Sequence, residues 1–254
     1  MSAEDLKLSE CSSDSWMGGI RYRFNFKGHD AWVVEPNDPA PGKAWFALPE
    51  WPTAFPERNG VKSLLSLGFY MVHVDLMGLY ANPEAVGIMY DFYQWLQSRQ
   101  FAAKGALIGM SLGGLYSFRF AAEHPECISC IYADAPVCDL AYSMENNDRS
   151  GRLAGVMSAY QVQSPQNLVD HPLSPVNNYL PIVNAGIPVL MILGLDDNVV
   201  NHKTNGSLLA ERYTAAGGNI NVIGRPSWGH HPHGLDDPDP IVRFILRGNF
   251  KIKN

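Results

Sequence analysis

A glycine-rich hexapeptide near the middle of the chain holds a serine in a setting that suits nucleophilic chemistry. Gly109-Met-Ser-Leu-Gly-Gly114 has G-x-S-x-G spacing, with an apolar run before it and a helical pattern after it. A strand that turns sharply into a helix raises the Ser111 hydroxyl above the sheet, and the glycines remove side chains that would clash there. The Leu112 N–H then lies at a helix start, where it can stabilise an oxyanion. The alternative is an ordinary glycine-rich turn.

A serine hydroxyl is a weak nucleophile, so the chemistry requires a base and an acid that orients it. In hydrolases with this kind of turn, the acid and then the histidine follow the serine along the chain. Two carboxylates, Asp196 and Asp197, come shortly after the apolar run 188–193, which ends before Gly194. Asp197 is favoured because it lies three residues after Gly194 and three before Val200. Asp196 is then expected to cap a helix or a turn.

Three histidines in Gly229-His-His-Pro-His-Gly234 compete for the role of general base. His230 is favoured because it directly follows a glycine, and His231 and His233 are its alternatives. A histidine cluster also suggests a metal site. The serine and the acid at matching positions favour a catalytic triad instead, so we predict neither a metal nor a cofactor.

The second oxyanion donor is expected from the loop after the apolar run 43–48. That loop reads Leu48-Pro-Glu-Trp-Pro52, and its prolines have no N–H to donate. Only Glu50 and Trp51 remain, and Trp51 is favoured. Its alternative role is that of a packed surface tryptophan.

Five further side chains near these loops are predicted to contact substrate. Their aromatic members suggest a pocket rim that suits sugars and aryl esters alike. These residues are Glu50, Tyr80, Asp134, Trp228 and His231.

Alternating strands and helices must position these residues. From residue 43 onward the pattern predicts an α/β fold with a mostly parallel sheet covered by helices on both faces. The predicted strands are 20–26, 31–34, 43–48, 69–74, 106–110, 128–133, 188–193 and 219–223. The predicted helices are 59–67, 83–99, 112–124, 205–216 and 240–246.

The predicted organisation is a polar tail over residues 1–18 and one domain over 19–254. Between residues 140 and 180 the alternation weakens into shorter helical pieces, where either a cap or a plain surface excursion fits.

Several segments resemble the α/β-hydrolase superfamily, and within it bacterial esterases related to prolyl oligopeptidases. The likeness spans about residues 43–246 and is carried by 75–80, 82–86, 109–114, 131–139 and 229–234. The resemblance implies an α/β-hydrolase fold and a hydrolase, often one regarded as a carbohydrate or carboxyl esterase. In some relatives the acid stands at the position of Asp134. The chain departs from the family at Leu48-Pro-Glu-Trp-Pro52, where relatives tend to carry basic and aromatic residues.

Charge and hydropathy exclude several other classes. The net charge is −6 and no stretch concentrates Lys or Arg, so nucleic acid is not expected as a partner. The first 15 residues lack the basic start and apolar run of a signal peptide, and no run is long enough for a membrane span. We therefore expect a cytoplasmic protein, although a signal peptide that had been removed would leave the same picture. The oligomeric state is not readable.

The sequence thus predicts a serine esterase that works through an acyl-enzyme on Ser111, with small acyl or acetylated carbohydrate esters as substrates. A peptidase or amidase with the same triad ranks lower because these 254 residues hold no second domain to screen peptides. A non-hydrolytic enzyme or a binding protein of the same fold is the remaining alternative.

Overall fold

A single mixed sheet organises the molecule, for which a computed structural model describes residues 11–144 and 151–249. Nine strands of the described residues form the order β1-β2-β3-β5-β4-β6-β7-β8-β9. The first three are antiparallel, β3 joins β5 antiparallel, and the strands from β5 to β9 run parallel. The strands are β1 Ser12–Trp16, β2 Gly19–Phe26, β3 His29–Pro36, β4 Trp45–Ala47, β5 Tyr70–Val74, β6 Gly105–Met110, β7 Ile128–Asp134, β8 Val189–Gly194 and β9 Ile220–Arg225.

Helices cover both faces of this sheet, as the sequence predicted. The apolar sides of α2, α3 and α6 pack into one core cluster, and those of α1 and α7 pack into a second cluster on the opposite face. None of the helices within the described ranges is both long and apolar enough to cross a bilayer. The helices are α1 Val61–Ser66, α2 Pro83–Gln97, α3 Leu112–Glu123, α4 Arg152–Ala159, α5 Leu180–Asn184, α6 Gly206–Ala215 and α7 Asp239–Asn249.

The central strands β6 and β8 are buried along their whole length. Their apolar runs have no polar alternation because each strand has a neighbour on both sides and helices above and below. The carboxyl ends of β4, β6, β7, β8 and β9 therefore meet at one edge of the sheet. The loops that leave this edge carry the residues that the sequence singled out, which is where ligand sites of open α/β sheets lie.

The N-terminal region is more ordered than predicted. Ser12–Trp16, assigned to the polar tail, forms β1 and pairs antiparallel with β2. Its four consecutive polar residues are all exposed, and Asp14 binds the buried Arg21 of β2 through both carboxylate oxygens. Residues 1–10 of the predicted tail lie outside the described residues.

The segment between β7 and β8 contains α4, α5 and two 3₁₀ turns, Leu140–Met144 and Pro165–Leu168. Residues 145–150 of the predicted cap lie outside the described residues. Val156, Leu168 and Ile182 are buried in the same apolar cluster as α3. This segment is therefore packed onto the helical layer, and its role as a cap stays a prediction.

Two helical glycines provide a matched test of this packing. A Cβ at Gly114 would overlap the Cβ of Pro136, whereas a Cβ at Gly87 would meet no atom within 4 Å. We expect Gly114→Ala to lower the free energy of unfolding by about 1–3 kcal/mol through overpacking. We expect Gly87→Ala to raise it by about 0.5–1 kcal/mol, because alanine loses less backbone entropy in a helix. Urea unfolding of both variants measures the difference, and equal effects would contradict the packing of α3.

Candidate active site

Ser111 occupies a strained turn between β6 and α3. Its backbone has φ 50° and ψ −119°, in the left-handed half of conformational space that side chains disfavour. A Cβ at Gly109 would lie 2.6 Å from Ser117 Oγ and 2.7 Å from the carbonyl oxygen of Gly113. Glycine is therefore required before the serine, as the motif predicted.

The end of the neighbouring strand β7 holds this turn in place. The Ser111 N–H donates to the carbonyl oxygen of Asp134 at 2.9 Å. The Ser111 carbonyl accepts the N–H groups of Val137 at 2.9 Å and Gly114 at 3.0 Å. A backbone strain on the order of 1–3 kcal/mol persists because hydrogen bonds to both the N–H and the carbonyl group of Ser111 hold its conformation.

Ser111, His230 and Asp197 lie in hydrogen-bond contact although they are far apart along the chain. His230 Nε2 is 3.0 Å from Ser111 Oγ, and His230 Nδ1 is 2.7 Å from Asp197 Oδ2. A carboxylate only accepts, so Nδ1 carries the proton and Nε2 is free to accept the serine proton. The other Asp197 oxygen accepts the N–H groups of Val199 at 2.8 Å and Val200 at 2.9 Å.

The acid of this set is ionised at neutral pH. Burial acts to raise the pKa of Asp197, but the hydrogen bonds from His230 and the two backbone amides outweigh it and lower that pKa. Asp196, the rival acid, has an exposed side chain. The geometry thus selects Asp197 over Asp196 and His230 over its two neighbours as the partners of Ser111.

A second carboxylate–histidine pair lies beside the first. Asp134 is fully buried, and its Oδ1 is 2.7 Å from His233 Nδ1. Its Oδ2 accepts the Gly234 N–H at 2.8 Å and the Tyr132 hydroxyl at 3.2 Å. The carboxylate therefore has no surface to offer a substrate, which corrects the predicted substrate contact. It anchors the loop that carries His230 instead.

His231 completes a compact triangle of imidazoles. The ring centroids of His230, His231 and His233 are 4.8–4.9 Å apart, and each pair meets edge to face. His231 is exposed and stacks on Phe55 with centroids 5.9 Å apart. The neighbouring side chains remove part of the hydration of the His231 ring. This desolvation and the two neighbouring imidazoles lower the pKa of His231, so it stays neutral at neutral pH.

The loop after β4 lies against the first turn of α3. A Cβ at Gly113 would be 3.4 Å from Glu50 Cβ and 3.6 Å from Glu50 N. Trp51 follows with φ 54° and is 38% exposed. Leu112 is the first residue of α3, so its N–H has no partner one turn earlier in the helix. Both predicted oxyanion donors thus belong to segments that meet beside Ser111.

Glu50 is a buried carboxyl group at this contact. It is 2% exposed, and its Oε1 has no hydrogen-bond partner within the described parts of the chain. Burial and the nearby charge of Asp75 raise its pKa to about 7.

A cleft lined by charged, aromatic and apolar residues opens from this loop across β5, β3 and β2, and its volume is about 410 Å³. Glu50, Trp51, Arg23, Trp32 and Asp75 are among the residues that line it. The contributions of Arg23 and Trp32 were not predicted, because nothing in the predicted hairpin distinguishes them from its other polar and aromatic residues.

The two remaining predicted substrate residues make other contacts. The Tyr80 hydroxyl lies against Gly155 of α4, where a Cβ would approach to 2.6 Å. Trp228 lies beneath the guanidinium of Arg225, whose Cζ is 4.1 Å from the ring centroid. A substrate contact for either residue stays a prediction.

Residues 89–241 match the family model described as the prolyl oligopeptidase family. The chain belongs to the prolyl oligopeptidase family. A search of curated protein sequences finds no match. The family, together with this fold, makes the protein a serine hydrolase of the α/β-hydrolase class.

Solved structures of similar fold include longer and shorter proteins. Acylaminoacyl peptidase of Pyrococcus horikoshii has a TM-score of 0.66 at 14% identity, and the match covers 98% of this chain and 43% of that one. Est1E of Butyrivibrio proteoclasticus has a TM-score of 0.62 at 15% identity, with 91% and 98% covered. The bifunctional GH43-CE protein of Bacteroides eggerthii has a TM-score of 0.72 at 15% identity, with 94% and 38% covered. The predicted α/β-hydrolase fold is confirmed, and the chain spans less than half of two of these proteins.

The buried Glu50 predicts a pH-dependent stability. In the folded protein Glu50 binds a proton below about pH 7, whereas its ordinary pKa is 4.5. The folded state thus holds more protons than the unfolded state, and rising pH through this window destabilises it by on the order of 3 kcal/mol. Glu50→Gln stays neutral, so its advantage over the wild type should grow from pH 4.5 to pH 8. Urea unfolding at several pH values measures both, and parallel pH curves would argue against a raised pKa.

Proposed function

We propose that this serine hydrolase cleaves carboxylic esters, with small acyl groups or acetylated carbohydrates as substrates, through an acyl-enzyme on Ser111. One observation carries the proposal. The His230 imidazole lies between Ser111 Oγ at 3.0 Å and Asp197 Oδ2 at 2.7 Å. This is the arrangement that activates a serine hydroxyl for acyl transfer.

In the first half of the proposed reaction, Ser111 Oγ attacks the ester carbonyl carbon while its proton passes to His230 Nε2. The imidazolium that forms is stabilised by ionised Asp197, which also holds the ring in orientation. The N–H groups of Leu112 and Trp51 stabilise the negative charge that develops on the carbonyl oxygen. When the carbonyl re-forms, the C–O bond to the alcohol breaks and His230 returns the proton to the leaving oxygen.

In the second half, water attacks the acyl-enzyme and gives a proton to His230 Nε2. Collapse of this intermediate releases the carboxylic acid and restores the Ser111 hydroxyl with the same proton. Every proton is carried by His230, so the cycle needs no cofactor.

The cleft beside the oxyanion loop supports a polar alcohol portion of the substrate. Its volume of about 410 Å³ lies in the range of small-molecule sites, roughly 300–1,000 Å³. Arg23, Asp30 and Asp75 provide charged hydrogen-bonding groups, and Trp51 provides an aromatic surface. Hydroxyl groups of a sugar satisfy such a lining better than an aliphatic chain, which would leave the polar groups without partners.

A peptidase or amidase with the same triad is the second candidate. The family model is that of the prolyl oligopeptidases, and one solved structure of similar fold is an acylaminoacyl peptidase. The chemistry of the two candidates differs mainly in the leaving group, which is a better one in an ester than in an amide.

A panel of matched substrates tests the proposal. We expect release of acetate from acetylated sugars and of p-nitrophenol from short-chain esters, and much slower cleavage of the corresponding anilides. Ser111→Ala should lower kcat by more than about 10⁴-fold, because only binding and the oxyanion donors remain. An acyl group trapped on Ser111 would appear by mass spectrometry. Faster turnover of anilides would favour the peptidase, and a protein that neither cleaves esters nor reacts with a fluorophosphonate would refute hydrolysis.

The adjacent acids give a matched pair of variants. Asp197→Asn should lower kcat by about 10⁴-fold, because an amide cannot stabilise the imidazolium and favours the wrong tautomer. Asp196→Asn should change kcat by less than about threefold, because that side chain faces solvent. Steady-state kinetics on one chromogenic ester compares them, and equal losses would show that the acid has been misassigned.

A further inference from the structure

The three histidines of the loop that carries His230 have the side chains and the spacing for metal binding as well as for catalysis. Each of His230, His231 and His233 presents a ring nitrogen, and these nitrogens all lie within 4.8 Å of one another. On a tetrahedral zinc ion with bonds of about 2.1 Å, ligand nitrogens are about 3.4 Å apart. The widest pair must therefore close by about 1.4 Å. Exposed His231 has the freedom to rotate towards such an ion, while the two buried rings are held by their carboxylate partners.

The surroundings of these rings match those of zinc ligands. Metal-binding histidines almost always donate their other N–H to a carboxylate, which orients the ring and raises its basicity. His230 donates in this way to Asp197 at 2.7 Å, and His233 to Asp134 at 2.7 Å. Two of the three potential ligands thus already have their outer partner, and the free nitrogen of each is Nε2.

A hydrophobic side chain shields one side of the cluster. Phe55 stacks on His231 with ring centroids 5.9 Å apart and meets His233 edge to face at 5.7 Å. An apolar wall beside the ligands limits the access of water to the site.

We propose that His230, His231 and His233 form an inhibitory binding site for a divalent transition metal, with Zn²⁺ as the preferred ion. The lone pair of His230 Nε2 that accepts the Ser111 proton would bind the metal instead. Ser111 then keeps its proton and is not a nucleophile. The ion is a competitor of the serine hydroxyl, not a cofactor. The inhibition rests on the proposed catalytic role of His230, whereas the binding does not.

Binding is best measured in an inactive protein, so that it does not depend on any substrate. Equilibrium dialysis of Ser111→Ala against ZnCl₂ after treatment with EDTA should show one bound equivalent at micromolar zinc. It should bind more tightly than the wild type, because no hydroxyl competes for Nε2. Adding His231→Ala should weaken binding by about tenfold or more, which is the scale of losing even an outer partner of a ligand.

Two further variants separate this site from other histidines. His124→Ala is the matched control, because His124 stacks on Tyr90 at the opposite end of β7 and should leave zinc binding unchanged. Asp134→Asn removes the outer partner of His233 and should weaken binding by about 10–100-fold in protein that circular dichroism shows to be folded.

Inhibition is read from the rate at which a fluorophosphonate labels Ser111, and from ester turnover. Zinc should slow labelling of the wild type, EDTA should restore it, and Mg²⁺ should have no effect because it prefers oxygen ligands. His231→Ala should need at least about tenfold more zinc for the same slowing, relative to its own rate without metal.

Zinc binding that is unchanged by His231→Ala, or absent at micromolar zinc, would overturn the site. Binding at the cluster without slower labelling would overturn the competition with Ser111. If the wild type cleaves no ester but zinc binding still depends on His231, the proposed substrate class fails and the metal site stands.

Discussion

Asp134 is the residue on which the geometry of the site depends. Its carbonyl oxygen accepts the Ser111 N–H, and its carboxylate binds His233 and the Gly234 N–H. One residue at the end of β7 thus ties the strained nucleophile turn to the loop that carries the base. A shift of β7 would move the serine and the histidine together, which preserves their 3.0 Å contact. Small misplacements of reacting groups cost large factors in rate, so this shared anchor is chemically meaningful.

The same anchor explains why two carboxylate–histidine pairs lie side by side. β7 and β8 are adjacent parallel strands, so the residues that follow them emerge at one edge of the sheet. Asp134 comes from the first and Asp197 from the second. Each binds a histidine of one short loop, and only His230 reaches Ser111. The Asp134–His233 pair supports the loop, and the Asp197–His230 pair lies at the serine. The same anchoring gathers the three imidazoles that we propose as a metal site.

The loop after β4 carries an acid, Glu50, whose pKa is raised, in contrast to that of Asp197. Glu50 is buried against the first turn of α3 with a pKa of about 7. An ionised carboxylate there would oppose the negative charge that develops on a carbonyl oxygen, while its protonated form would not. Because burial favours the neutral form of Glu50 in the folded state, stability falls as the pH rises from about 4.5 to about 7. The protonation state of Glu50 thus links the stability of the folded protein to pH.

Much of this architecture is readable along the chain. Strand and helix patterns are local, so the alternation from residue 43 onward and the turn at Ser111 follow from nearby residues alone. Asp197 and His230 could also be predicted from the sequence, since each stands at a definite distance from a neighbouring glycine. The strand Ser12–Trp16 was missed because its polar residues have no apolar face, and its pairing with β2 and the Asp14–Arg21 bond provide what the sequence pattern lacks.

Only the tertiary structure decided which carboxylate belongs to which histidine. Asp134 and His233 are 99 residues apart, and no spacing rule relates them. Their contact arises because parallel pairing brings the end of β7 beneath the loop after β9, and burial then requires a partner for each charged group. The cleft that contains Arg23 and Trp32 has the same origin, since antiparallel pairing with β5 brings the N-terminal hairpin beside the loop after β4. The residue types determined the available chemistry, and strand order determined which residues meet.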